Sequence, residues 1–72
     1  MNKTEIINEL ESQLKIVRQR RTEIELKYPP GHGIHKTTRL AEQADKAAWC
    51  QHTDTINALQ TVLLSVYDHE SY

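Results

Sequence analysis

Apolar residues recur at alternating intervals of three and four positions in two separate stretches of the chain. The first stretch carries Ile7, Leu10, Leu14, Val17, Ile24 and Tyr28, with Arg21 as its charged position. The second stretch carries Asp45, Trp49, His52, Ile56, Leu59, Leu63 and Val66. This spacing is typical of one face of an α-helix. The pattern therefore predicts an all-α chain whose two amphipathic helices pack against each other.

The segment between the two repeats interrupts the helical pattern. It contains Pro29-Pro30-Gly31-His32-Gly33, and a residue before proline is disfavoured in the helical conformation. Asn2 is a good cap for the first helix, and Thr37 or Thr38 can cap the second. We predict one antiparallel hairpin domain over residues 1–72, with a helix over 3–27, a loop over 28–36, a helix over 37–67 and a frayed tail over 68–72.

A charged position in each repeat suggests how the helices are aligned. Folding the chain back at the glycines places Arg21 opposite Asp45 and Val17 opposite Trp49. We predict an Arg21–Asp45 ion pair near the loop, which would define the register more than it stabilises the fold. The alternative is that both side chains extend to water from the edge of the contact.

The second helix carries more apolar surface than one partner helix covers. Its second stripe lies about 80° from the first at 100° per residue and consists of Ala41, Ala44, Ala48, Thr55 and Val62. A chain of 72 residues with one cysteine forms a small core without an internal disulfide. We therefore predict a homodimer in which two hairpins form a four-helix bundle. The alternative is that alanine merely favours helix.

This plan, a capped hairpin that doubles into a bundle, is similar in architecture to the plasmid RNA-binding protein Rop. The similarity covers architecture alone, and no shared motif carries a function across.

Composition restricts location and partners. The formal net charge is −1, from 9 basic and 10 acidic residues, so the chain has no overall attraction to nucleic acid or acidic lipid. Its apolar runs are far shorter than the roughly 20 residues of a membrane span. A lone thiol fits a reducing compartment. We expect a cytoplasmic protein without membrane contact.

The histidine-containing loop is a candidate ligand site. It presents Gly31, His32, Gly33 and His35, and free amides at the start of a helix favour anions. Two histidines alone do not make a specific metal site. A glycine-containing turn serves a structural role more often, so we expect no metal and no cofactor.

The basic residues Lys15, Arg18 and Arg20 are candidates for contacting a protein partner or nucleic acid. Arg18 and Arg20 diverge by about 200° at 100° per residue. A surface that follows phosphates requires one sign of charge, so a solvated helix face is the simpler interpretation. A dimer would still bring two such clusters together.

Catalytic motifs are missing from the sequence: it contains no nucleophile elbow, phosphate loop or His-Glu-x-x-His pattern. We therefore expect a non-enzymatic accessory protein of bacterial or phage type, which acts by protein–protein interaction as an adaptor, inhibitor or regulator. The first alternative is a nucleic-acid-binding bundle. The second is an oligomer that sequesters a small ligand or nucleotide.

Overall fold

Two antiparallel α-helices form the body of the molecule. The computed structural model describes residues 2–69. Helix α1 spans Lys3–Glu25 and helix α2 spans Gln43–Asp68, and short 3₁₀ turns at Ile34–Lys36 and Leu40–Glu42 lie between them. Across the described residues there is no strand, and the principal extents are 48 × 18 × 16 Å. The predicted all-α hairpin is confirmed.

Helix α1 begins and ends for local reasons. The Asn2 side chain accepts a hydrogen bond of 2.9 Å from the Glu5 amide, so the predicted N-cap is present. The helix ends at Glu25, two residues before the expected boundary. The chain continues in hydrogen-bonded turns as far as Tyr28, and Pro29 then offers no amide hydrogen to continue them.

The two glycines occupy turn positions that other residues resist. His32 donates its amide to the Pro29 carbonyl at 3.0 Å, and Gly31 between them has a φ of 81°. Pro30 followed by a glycine of positive φ is the pattern of a type II turn. Gly33, at a φ of 68°, precedes the first 3₁₀ turn. The glycines therefore shape the loop.

Helix α2 begins at Gln43, six residues later than expected, and neither Thr37 nor Thr38 caps it. The Thr37 hydroxyl donates to the Glu42 carboxylate at 2.6 Å and accepts from the Arg39 amide at 3.3 Å. A threonine side chain that bonds locally in this way competes with helix formation. Asp68 is still helical, whereas residues 70–72 of the expected frayed tail lie outside the described residues.

The core is small. Its buried apolar residues are Leu14, Val17, Ile24, Ile34, Ile56 and Val66. Leu14, Val17 and Ile56 form one cluster, with Leu59 packed against it. Two helices share a single contact layer, so much apolar surface remains outside it.

The helices are displaced by one heptad from the predicted register. Val17 clusters with Ile56, seven residues beyond Trp49, its predicted partner. A heptad step returns to the same helix face, so the expected contact residues still face inward but meet different neighbours. The longer non-helical connection, which includes residues 37–42, accounts for this displacement.

The predicted Arg21–Asp45 ion pair does not form. Asp45 instead accepts a hydrogen bond from Tyr28 and one of 3.1 Å from Lys27. Arg21 donates to the Thr53 hydroxyl at 3.2 Å, and its guanidinium carbon lies 5.5 Å from the centre of the Trp49 ring. The one-heptad displacement brings Tyr28 opposite Asp45 and carries Arg21 away from it.

Candidate functional site

Two open clefts of similar volume lie on the hairpin. The first, here called the loop cleft, has a volume of about 690 Å³ and is lined by residues 28–37 with Glu25 and Trp49. The second, here called the groove, runs between α1 and α2 towards their free ends and has a volume of about 660 Å³. Ligand sites in proteins are usually concave, so each cleft is a candidate binding site.

A buried carboxylate organises the loop cleft. Glu42 Oε1 lies 2.8 Å from His32 Nε2 and 2.6 Å from the Thr37 hydroxyl. Arg39 lies 3.8 Å from the other oxygen of this carboxylate. The hydrogen bonds from Thr37 and then His32 lower the pKa of Glu42. The loop thus satisfies its own buried charge.

Aromatic rings in the loop cleft stack on one another. Tyr28 and His32 have ring centres 4.6 Å apart, and His35 and Trp49 have theirs 5.3 Å apart. The Trp49 indole also donates to Glu25 at 2.9 Å. The structure therefore places His32 and His35 of the predicted ligand loop in contacts that hold the loop together.

Tyr28 and Asp45 join the loop to the start of α2. The Tyr28 hydroxyl donates to the Asp45 carboxylate. This bond raises the pKa of Tyr28 to about 12, and together with the Lys27 ammonium it lowers the pKa of Asp45. These contacts are structural, and they depend on the observed register.

Between residues 2 and 69, no three His, Cys, Asp or Glu side chains are grouped so that they could hold a metal ion. Cys50 is a free, half-buried thiol.

The groove has an apolar floor and an apolar rim. Its lining residues are Glu11, Leu14, Lys15, Arg18, Gln60, Leu63, Leu64 and Tyr67. Leu14 is buried and Leu63 half-buried, whereas 64% of Leu64 and 48% of Tyr67 is exposed. Large apolar side chains that line an open concavity are typical of a contact surface.

The charged residues of the groove differ in whether they have a bonding partner. Glu11 accepts a hydrogen bond of 2.7 Å from the Tyr67 hydroxyl, which raises the pKa of Tyr67. Lys15 and Arg18 are exposed, and neither forms an ion pair with any residue that the structure describes. The charged side chains on the α1 wall that remain available to a partner are therefore both basic.

The structure separates the three predicted basic residues. Lys15 and Arg18 line the groove, whereas Arg20 is exposed elsewhere on α1 and does not. Sequence reasoning missed that this pair lies beside Leu64 and Tyr67. The adjacent leucines at 63 and 64 were a signal, because two successive residues cannot both face one helix contact.

The predicted dimer stripe is divided between two elements. Ala41 lies in the second 3₁₀ turn, ahead of α2. The α2 residues of the stripe are Ala44, Ala48, Thr55 and Val62, here called the alanine face. Ala48 is half-buried and the other three are exposed. Val62 and Leu64 diverge by about 200° at 100° per residue, so the alanine face and the groove lie on opposite sides of the hairpin.

Among the described helices, neither has the length and apolar character needed to cross a membrane. Comparison with known proteins identifies no relative: no family model, no curated protein and no solved structure matches this chain.

Proposed function

We propose that this chain is a small non-enzymatic helical accessory protein that acts by binding another protein. The groove is the observation that carries this proposal. Its rim exposes Leu64 and Tyr67 to solvent beside a floor formed by buried Leu14 and half-buried Leu63. Exposed apolar residues are ordinary when they are scattered, but a cluster around a concavity favours a contact surface.

The size of the core supports the same proposal. Six large apolar residues are between 48% and 91% exposed: Ile16, Leu26, Leu40, Val62, Leu64 and Tyr67. As many apolar residues are buried in the core. A hairpin of this size gains stability when a partner covers part of that surface.

We also propose that two hairpins pair through the alanine face to form a four-helix bundle. Its residues are uncharged, and small side chains allow another helix to approach closely. The Thr55 hydroxyl donates to the Gln51 carbonyl at 3.0 Å, so burying this side chain leaves no unsatisfied donor.

Sedimentation equilibrium of wild type and Val62→Arg tests the pairing. Wild type should sediment as a dimer and Val62→Arg as a folded monomer, because the new charge would be buried without a partner. Ile16→Arg is the matched control, since Ile16 is also 48% exposed but lies on α1. A wild-type monomer at all concentrations, or a dimer that Val62→Arg leaves intact, contradicts the pairing.

Affinity capture on the immobilised chain tests the accessory role. One protein should be retained in stoichiometric amount after nuclease treatment and in salt that releases nucleic acid. If retention disappears with nuclease, or if the chain retains nothing from its own host, the proposed role is wrong.

Nucleic-acid and small-ligand binding have less geometric support. Arg20 lies apart from Lys15 and Arg18, so the basic residues do not form one surface. His32 and His35 are engaged in ring stacking. These contacts leave the loop with a structural role.

A further inference from the structure

We propose that the groove receives an amphipathic helix whose apolar side chains contact Leu63, Leu64 and Tyr67 and whose acidic residues face Lys15 and Arg18. This inference rests on the proposed accessory function and specifies the chemistry of the partner.

The shape of the groove favours a helix. Its walls are formed by residues 11–18 of α1 and residues 60–67 of α2, which extend about 11 Å, or two helical turns, along each axis. Two helices packed side by side leave a furrow into which a third helix fits. Binding of an amphipathic helix in an apolar groove is a recurrent mode of recognition.

The exposed apolar residues specify one face of the incoming helix. Leu64 and Tyr67 are three residues apart and stand on the rim, and Leu63 lies between them and the core. An occupant with apolar residues at intervals of three and four positions would cover all of them. The Tyr67 hydroxyl already donates to Glu11, so covering its ring leaves no donor unsatisfied.

The positive charges on the groove indicate that the partner helix carries negative charge. Lys15 and Arg18 are three positions apart, lie on the same side of α1 and form no ion pair within residues 2–69. Glu11 is bonded to Tyr67. An acidic residue beside the apolar stripe of the partner would pair with the two cations and define the orientation of binding.

A second copy of the chain fits the groove less well. The alanine face, the surface that we propose for self-association, contains no acidic residue, so it does not complement Lys15 and Arg18. It lies on the opposite side of the hairpin, which leaves the groove open in a dimer.

The test uses two stapled helical peptides of about 15 residues with the same leucine-rich face, one flanked by glutamates and the other by lysines. Fluorescence anisotropy measures the binding of each peptide to the full chain. Wild type should bind the acidic peptide at least roughly tenfold more tightly than the basic one. Lys15→Glu combined with Arg18→Glu should reverse that preference.

Matched variants separate the groove from the rest of the surface. Leu64→Ser should lose both peptides, whereas Ile16→Ser, which removes an exposed apolar residue from the opposite side of α1, should bind as wild type does. Arg20→Glu controls for the general change in charge. Circular dichroism verifies that each variant is folded.

Several outcomes would overturn the proposal: equal binding of the two peptides, no binding of either, or an unchanged preference after the charge reversal.

Other results would assign the groove to a different occupant. If Leu64→Ser converts a dimer into a monomer, the occupant is a second copy. If single-stranded RNA competes with the acidic peptide in wild type but not in the double variant, the groove recognises phosphate instead. Should the captured protein bind Leu64→Ser as well as wild type, the accessory role stands and the groove assignment falls.

Discussion

The two ends of the hairpin are closed by different kinds of contact. At the loop end, partly buried hydrogen bonds join Tyr28 to Asp45 and join Glu42 to both Thr37 and His32. At the free end, Lys3 donates to backbone carbonyls at the end of α2 through exposed contacts. A partly buried hydrogen bond is less open to competition from water than an exposed one.

Apolar burial does not follow this difference in polar contacts. Ile34 near the loop and Val66 near the free end are each 4% exposed. Towards the free end, the leucine at position 64 and the ring of Tyr67 remain on the surface beside the groove. Leu26 and Leu40 near the loop are also exposed, at 78% and 91%, so the free end differs in that its exposed apolar residues line a groove.

This difference indicates that the two ends of the hairpin have different roles. Contacts near the loop select the register of the helices, because they match specific polar groups. The free end depends on that register to bring Leu64 beside Lys15. Binding surfaces are often drawn from the less stable parts of a structure, and the free end fits that description.

The largest expected effect is that of Ile34→Ala. The substitution should lower the free energy of unfolding by about 2–5 kcal/mol, because it empties a buried site. Leu64→Ala, at an exposed position near the free end, should alter it by less than about 0.5 kcal/mol. Urea denaturation measures both values, and equal losses would show that Leu64 is packed in the fold and not free for contact.

Tyr28→Phe should lower the melting temperature by less than Ile34→Ala does, because it deletes the bond to Asp45 and retains the ring. Tyr67→Phe deletes the exposed bond to Glu11 and should have a smaller effect. Calorimetry at neutral pH compares them, and a larger loss for Tyr67→Phe would contradict the proposed role of the loop end.

The pH dependence of stability should reflect the same hydrogen bond between Tyr28 and Asp45. Because the pKa of Tyr28 is raised from 10.0 to about 12, its contribution is present below about pH 10 and is lost as the pH rises through 12. The pKa of Asp45 is lowered from 3.8, so its contribution is present above that value and is lost as the pH falls through the lowered pKa. Tyr28→Phe should reduce the alkaline loss without removing it, because the pKa of Tyr67 is also raised, and melting curves that stay identical to wild type up to pH 12 would contradict this.

Arg21→Leu should change stability by less than about 1 kcal/mol. Arg21 Nε is buried without a hydrogen-bond acceptor among the described residues, since Glu25 Oε1 lies 3.8 Å away. Leucine removes that unsatisfied group but loses the hydrogen bond to Thr53 and the contact with Trp49. A double-mutant cycle with Asp45→Asn should give a coupling free energy near zero, and strong coupling would support direct pairing of these two residues.

The smallest expected effect is that of Lys3→Ala. Its ammonium lies 3.1 Å from the Tyr67 carbonyl and 2.8 Å from the His69 carbonyl, where a cation stabilises the helix C-terminus by about 0.5 kcal/mol. Amide hydrogen exchange should accelerate in the last turn of α2 and remain unchanged near Ile34. Faster exchange at the loop would show that the two ends are not independent.

The candidate site was predictable in part. Lys15 and Arg18 are identifiable as exposed cations, because they lie outside the apolar repeat of α1. Their position beside Leu64 and Tyr67 was not predictable, because it depends on which heptad of α2 faces which heptad of α1. The sequence offered His32 as a candidate ligand residue without indicating its contact with Glu42, which lies ten residues away and reaches it only through the fold of the loop.

The sequence by itself determined the two helices, the Asn2 cap and the residues that face inward, since each follows from local hydrogen bonding or from helical periodicity. Only the tertiary structure decided the register and the start of α2. A heptad repeat is unchanged by a shift of seven residues, so periodicity cannot distinguish Trp49 from Ile56 as the neighbour of Val17. The contacts of Thr37, Glu42 and Asp45 near the loop made that choice, because polar groups pair with particular atoms and not with a face.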